Sequence, residues 1–296
     1  MLGARLYSQA DLPRLREGGF TGAVLSVATN PFRRRASRSS VAAINIQRLV
    51  AALGRAGGVS VVADHAGYRA ARAAGRLACF VAIQGGNAAD VEQLPGGVSR
   101  VTLVHLTRSQ LGSPSAPLGG SGGLTSYGRA FVEALNEQRI LVDLAHASRR
   151  TFWGALAVHD RSLPPIVSHT GVAGVHASWR NIDDDQVRAI ADRGGVVGIM
   201  YHRGFLGGAT SEAVLRHLEH VIRVGGEDAA ALGSDWDGLI VTPRDMPTAR
   251  ELPVLVQGML DRGWSSDRVA KVVGMNYLRV VAAVRPGPEA GPTPAS

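Results

Sequence analysis

Five polar residues each follow a short apolar run, and their types suit hydrolytic chemistry. Gln84 follows Ala78 to Ile83, His105 follows Val101 to Val104, and His146 follows Ile140 to Ala145. His169 follows Pro165 to Ser168, and Asp235 follows Ala229 to Ser234. Imidazoles are common ligands of zinc-type ions, and a carboxylate beside them can take a proton from water or hold an ammonium group. One such histidine is more often a satisfied core or surface residue. Three of them and an aspartate, all placed alike after separate runs, point to one shared site. His146 and His169 are the strongest metal candidates, and Asp143 is placed to support an outer shell. Asp235 is the candidate for proton transfer or for anchoring an ammonium. Arg180, in the loop ASWRNIDDDQ, suits bidentate pairing with a substrate carboxylate, and equally suits an ordinary loop arginine. The remaining histidines read as bystanders. His217 and His220 lie on a helix beside Glu219 and read as solvated; His65, His159 and His202 show no clear partner; His176 reads as a loop residue. The stretch GGSGGLTSYG lacks the GK[ST] ending of a phosphate loop.

The apolar runs are the elements that must position these residues. With Gly22 to Val27 and Gly195 to Met200 they make seven β-branched segments bounded by Gly or Pro, as strands buried on both faces of a parallel sheet read. Helical patterns lie between them: Ile44 to Arg55, Ser126 to Asn136 capped by Thr125, and a helix through Val158 capped by Ser148. Asp183 with Gln186 makes a capping box, and Gly194 closes that helix. Ser211 to Val224, Ala249 to Asp261 and Ser265 to Val284 are further helices. This βα alternation predicts an α/β fold with a parallel sheet and helical crossovers, its functional residues at the C-terminal mouth. A closed (β/α)8 TIM-type barrel has eight strands. The run Val59 to Val62 reads as part of an excursion between the first and second runs, so the expected barrel lacks its first strand. Residues 1–285 form the expected barrel domain. Residues 286–296 (PGPEAGPTPAS) form an expected disordered tail.

Composition narrows the function classes. The chain has 296 residues, 45% of them hydrophobic, enough for one large core. The net charge is +8, and Lys271 is the only lysine. The arginines are spread along helices, apart from Arg33, Arg34, Arg35 and Arg38, without aromatic interleaving or a nucleic-acid motif, so no nucleic-acid partner is expected. Cys79 is the sole cysteine and lies in an apolar run, which excludes an intrachain disulfide and reads as core. The N-terminal residues carry no apolar signal region, and no apolar stretch approaches the roughly 18 residues of a membrane span. The expectation is a cytoplasmic protein without a membrane partner.

The segments ILVDLAHAS, PIVSHTGV, WRNIDDDQVRAIADRGGVVGI and LGSDWDG, in that order, resemble the renal (membrane) dipeptidase family of metallopeptidases, and the resemblance runs from about Asp11 to the MNYLRVV segment. It implies a barrel of the metal-dependent hydrolase kind with a two-zinc site, cleaving dipeptides through a metal-activated water. It implies that His146 and His169 match the histidine ligands of the second zinc. His105 matches the histidine that contacts substrate, Arg180 the arginine holding the substrate carboxylate, and Asp235 the aspartate near the substrate amine. Two departures stand out. Gln84, in IQGGNAAD, replaces the bridging glutamate of the family, and a neutral amide bridges two dications poorly. The His-x-Asp pair of the family's first strand has no match before Asp11. The readings left open are a truncated start, a one-metal enzyme, a non-catalytic relative that binds small carboxylates, and a barrel hydrolase acting on another amide or a lactone. Strand edges left unpaired by a missing strand predict poor solubility or a homo-oligomer.

Overall fold

The computed structural model describes residues 8–30, 33–117, 119–120 and 122–288. The fold alternates strand and helix around one parallel sheet. α1 (Leu12–Glu17) precedes β1 (Gly22–Ala28); α2 (Arg38–Arg55), β2 (Val59–Val62), α3 (His65–Ala73), β3 (Leu77–Gln84) and β4 (Val98–Thr102) follow. Next come α4 (Ser126–Glu137), β5 (Leu141–Asp143), α5 (Arg149–Val158), β6 (Ile166–Thr170), α6 (Asp184–Ala191) and β7 (Val196–Ile199). The chain continues through α7 (Arg203–Leu206), α8 (Ser211–Gly225), β8 (Ala230–Leu232), α9 (Leu252–Asp261), α10 (Ser266–Ala270) and α11 (Asn276–Val284).

Several starts and stops are dictated locally. Thr125, Ser148 and Asp183 cap α4, α5 and α6 through their side chains, and Asp183 with Gln186 forms the full capping box. The expected single helix from Ser265 to Val284 is instead interrupted by a π turn, Lys271–Met275.

The sheet runs β1-β3-β4-β5-β6-β7-β8, every pair parallel. β2 is the exception to the sequence reading. The run Val59–Val62 is a strand, not part of a loose excursion, and α3 follows it directly. It pairs with Leu77–Phe80 of β3, while β4 pairs with Val81–Gln84 on that same edge. Four residues suffice because they borrow only half of an eight-residue strand.

The sheet is curled, and its ends approach one another. Phe20, just before β1, meets Trp236, just after β8, edge-on at 5.7 Å. Asp237 accepts hydrogen bonds from Gln9 N (2.6 Å), Ala10 N (3.2 Å) and Ser8 Oγ (3.0 Å). Among the described residues β1 and β8 do not pair with each other. The segment before Ser8, where a first strand would lie, is outside the described residues. So is the expected tail beyond Pro288. Its first residue is anchored, since Pro286 O accepts from Ala66 N at 3.1 Å.

Strand alternation sorts the two faces of the sheet. Val81, Ile83, Val101, Val142, Val167 and Val197 face the outer helices in the main core. On the inner face, Phe80, Leu141, Ile166, Val196 and Ala231 pack with Val280, Val281 and Val284 of α11 at the N-terminal end of the strands. Further along that same face the period of two delivers Gln84, Arg100, Thr102, Asp143 and Ser168. The inner face is therefore apolar at one end and polar at the other. Cys79 is fully buried, as its apolar run implies.

Candidate active site

The polar end of the inner face gathers the residues picked out by the sequence. His146 Nε2 lies 2.8 Å from His169 Nε2. Gln84 Nε2 is 3.1 Å from His105 Nε2 and 3.4 Å from His146 Nε2. Asp235 Oδ1 stands 3.9 Å from His169 Nε2. Arg180, read evenly as clamp or bystander from sequence, is only 3% exposed. Its Nη2 donates to His169 O at 2.7 Å. All five expected residues, with Gln84, thus share one site. The strands themselves end earlier than the apolar runs suggest, at Thr102, Asp143 and Leu232, so His105, His146 and Asp235 sit on short extensions beyond them.

Those extensions are bent. His146 (φ 64°) and Asp235 (φ 61°) both adopt the left-handed backbone that side chains disfavour. Such conformations cost on the order of 1 kcal/mol or more and persist where surrounding structure holds them. Here they turn two side chains toward the shared point.

Beneath the imidazoles lies a relay that the sequence reading found only in part. Asp143 is fully buried. Its Oδ2 accepts from Thr102 Oγ1 and Ser168 Oγ, both at 2.5 Å, and its Oδ1 accepts from Ala145 N (3.0 Å) and Ser168 N (2.9 Å). Ser168 has only one proton. When that proton goes to Asp143, Ser168 Oγ accepts from His169 Nδ1 at 2.7 Å. His169 Nε2 is then a bare lone pair facing His146. This is the outer-shell arrangement that fixes a ligand tautomer. Arg100 adds a buried cation: Nη2 donates to Ser26 Oγ at 2.6 Å and Nε is 3.7 Å from Asp143 Oδ2. Thr102, Arg100 and Ser168 were legible only through strand alternation, which puts them on Asp143's face. The glycines of β7 and the end of β8 close around this point. A Cβ at Gly198 or Gly233 would lie 2.1 or 2.0 Å from Ser168 O.

Burial and Arg180 set the protonation states. His105 is lowered to about 4, first by burial and then by Arg180. His146 and His169 fall well below the usual imidazole value for the same two reasons. All three are neutral at pH 7. Burial raises Asp235 to about 7 against the opposing pull of Arg180 and Arg100. Arg180 is itself lowered by burial, to about 10, and stays charged.

Two neutral imidazoles with Nε2 atoms turned to one point are the donor chemistry of a zinc-type ion. They are only two ligands, with Asp235 Oδ1 3.9 Å from His169 Nε2, and so make at most part of a single-ion site. They do not fit two ions: Gln84 supplies no charge, and among the described residues no group of three or more His, Cys, Asp or Glu side chains is arranged around one metal position.

Two histidines correct the sequence reading. His217 is fully buried, accepting from Val172 N at 2.9 Å through Nδ1 and reaching Leu206 O at 3.2 Å through Nε2. His220, 5% exposed, lies 2.6 Å from Asp184 Oδ1. Both tie α8 to its neighbours and neither is solvated, because α8 is covered by α6, α9 and the sheet at once. Among the described residues no helix is long and apolar enough to cross a membrane.

Known proteins resemble this chain in sequence and in fold. An uncharacterised protein in the pqqA 5′ region of Klebsiella pneumoniae is 32% identical over 178 residues, spanning 58% of this chain and 64% of that protein. A metallopeptidase of Rhodobacter sphaeroides, solved with a phosphinate mimic of the dipeptide L-Ala-D-Ala, superposes with a TM-score of 0.82 at 26% identity, covering 94% of this chain and 90% of its own. A dipeptidase of metallopeptidase family M19 gives 0.83 at 26% identity, over 95% and 90% of the two chains. The model of the membrane dipeptidase family matches residues 2–289. The chain therefore belongs to the membrane dipeptidase family, peptidase family M19.

Proposed function

We propose that the chain is a metal-dependent hydrolase that cleaves the peptide bond of dipeptides. The observation that carries this is the convergence of His105, His146, His169, Asp235 and buried, charged Arg180 on one point at the C-terminal mouth of the sheet. In this reading the sheet is a (β/α)8-type barrel one strand short, open between β8 and β1. His146 and His169 hold one zinc ion. Bound there, the ion supplies Lewis-acid polarisation of the substrate carbonyl and of water.

The chain's own residues do the rest. Arg180 pairs with the substrate's terminal carboxylate, and its burial strengthens that pairing. Asp235, near 7, can hold a proton or release it at neutral pH, as transfer between water and the leaving amine requires. A neutral His105 can donate an N–H to the developing oxyanion without leaving a buried charge behind.

Gln84 favours a second reading, a relative that binds small carboxylates without turnover, because it fills the centre with a neutral amide. One experiment separates the two: metal content per chain, with dipeptide hydrolysis measured with and without added zinc. The first reading expects one zinc per folded chain and hydrolysis lost in His169→Ala. Folded protein that binds dipeptides with neither metal nor turnover would establish the second.

A further inference from the structure

Opposite the mouth, at the N-terminal ends of β1 to β3, the molecule has an open cavity of about 380 Å³. Three arginines from three segments line it: Arg16 from the last turn of α1, Arg72 from the last turn of α3, and Arg76 from the turn into β3. Its floor is Phe20 and Leu77, and no acidic residue is among its lining. Among the described residues none of the three arginines has an ion-pair partner, whereas Arg250, for example, pairs with Glu17 at 2.6 Å.

Two of the guanidinium groups are held in place by backbone. Arg16 Nη2 donates to Gly57 O. Arg76 Nε donates to Val59 O at 3.0 Å and to Ser60 Oγ at 2.9 Å, and its Nη2 also reaches Val59 O. Each keeps further N–H groups unspent, since a guanidinium carries five. Gly58 makes the seat. Its φ is 70°, which favours glycine, and a Cβ there would lie 3.0 Å from Arg16 Nη2, so a side chain would press on the guanidinium. Among the described residues the N–H groups of Gly57 and Gly58 donate to no backbone acceptor.

We propose that this cavity is an anion site for a small phosphate-bearing ligand, separate from the catalytic mouth. Three cations without a countercharge suit a dianion better than a carboxylate, which offers two oxygens and one charge. A phosphate group offers several acceptor oxygens to forks converging from three directions. The concavity and its size suit a small molecule.

Calorimetric titration of the full chain with inorganic phosphate and with pyrophosphate, at constant ionic strength and with acetate as control, tests this. Saturable binding of either phosphate, with acetate at least tenfold weaker, is the expected result. Arg72→Gln, whose side chain makes no hydrogen bond or ion pair with a described residue, should weaken binding about tenfold while leaving the unliganded unfolding midpoint unchanged. Absence of saturable phosphate binding, or binding that is unaltered in a folded Arg72→Gln protein, overturns the proposal.

Discussion

At the scale of single residues, Asp235 sets the pH response. Its value near 7 means that an activity requiring its carboxylate rises with pH through that region. We expect kcat/KM for a dipeptide to climb with an inflection near pH 7, and Asp235→Asn to lose about 10²–10⁴-fold. A profile flat from pH 5.5 to 8.5 would remove Asp235 from proton transfer. Gln84 makes the opposite kind of test. Gln84→Glu places a carboxylate within reach of His105 and His146. It should raise the zinc retained per chain after dialysis, while destabilising the metal-free protein by about 1–3 kcal/mol through an unpaired buried charge. Ser168→Ala removes the acceptor for His169 Nδ1 and one donor to Asp143. Zinc affinity should fall about 10–100-fold by competition with a chelator. Unchanged affinity would mean that the relay does not orient His169. The direct candidates were legible in the sequence because each ends an apolar run. Arg180 was not decided there, since nothing in a loop sequence says whether its guanidinium turns inward.

At the scale of elements, strands buried on both faces left a strong trace, and the seven apolar runs became β1 and β3 to β8. Val59–Val62 reads as an excursion in sequence because no helix-length spacer is evident after it, yet the nine-residue helix His65–Ala73 follows. What makes them a strand is the unpaired half-edge of β3, a tertiary fact. α8 was misjudged for a related reason. Its histidines sit where a helix exposed on one side would meet water, but three neighbours cover it. The loop after β8 carries a third kind of information, backbone strain. Asp235, Asp237 and Leu239 all have φ near 61–62°, and Leu239 is 97% exposed. Leu239→Gly should stabilise the protein by about 1 kcal/mol, since it relieves a left-handed leucine and gives up no burial. A lowered unfolding midpoint would show that the Leu239 side chain contributes more to the fold than its backbone strain costs.

At the scale of the whole molecule, buried neutral imidazoles couple stability to acid. His159 and His217 are both lowered to about 4 by burial. Groups lowered in this way stabilise the fold above the ordinary value of 6.5, and that stability is lost as pH falls toward 4. At pH 5.5 the loss is on the order of 1 kcal/mol for each. Asp235 acts with the opposite sign: raised in the folded state, it loses stability as pH rises through 7. Urea unfolding is therefore best compared at pH 7.5 and 5.5 in Asp235→Asn, where a drop of at least about 2 kcal/mol is expected. The sheet's ends give a second expectation. β1 and β8 each present an edge without a partner strand among the described residues. Such edges favour self-association, so light scattering should find an oligomer. A monodisperse monomer would show that the edges are covered.

The bonds from Ser8, Gln9 and Ala10 to Asp237 join positions 227 to 229 apart in the chain. During synthesis the first of these residues leaves the ribosome long before its partner exists. At roughly 5–20 residues per second, more than ten seconds separate them. The early strands must wait with one flank bare, and the loop bearing Asp235 settles only when the newest and the oldest parts of the chain meet. The candidate site should therefore be completed last, well after the bulk of the helices has formed.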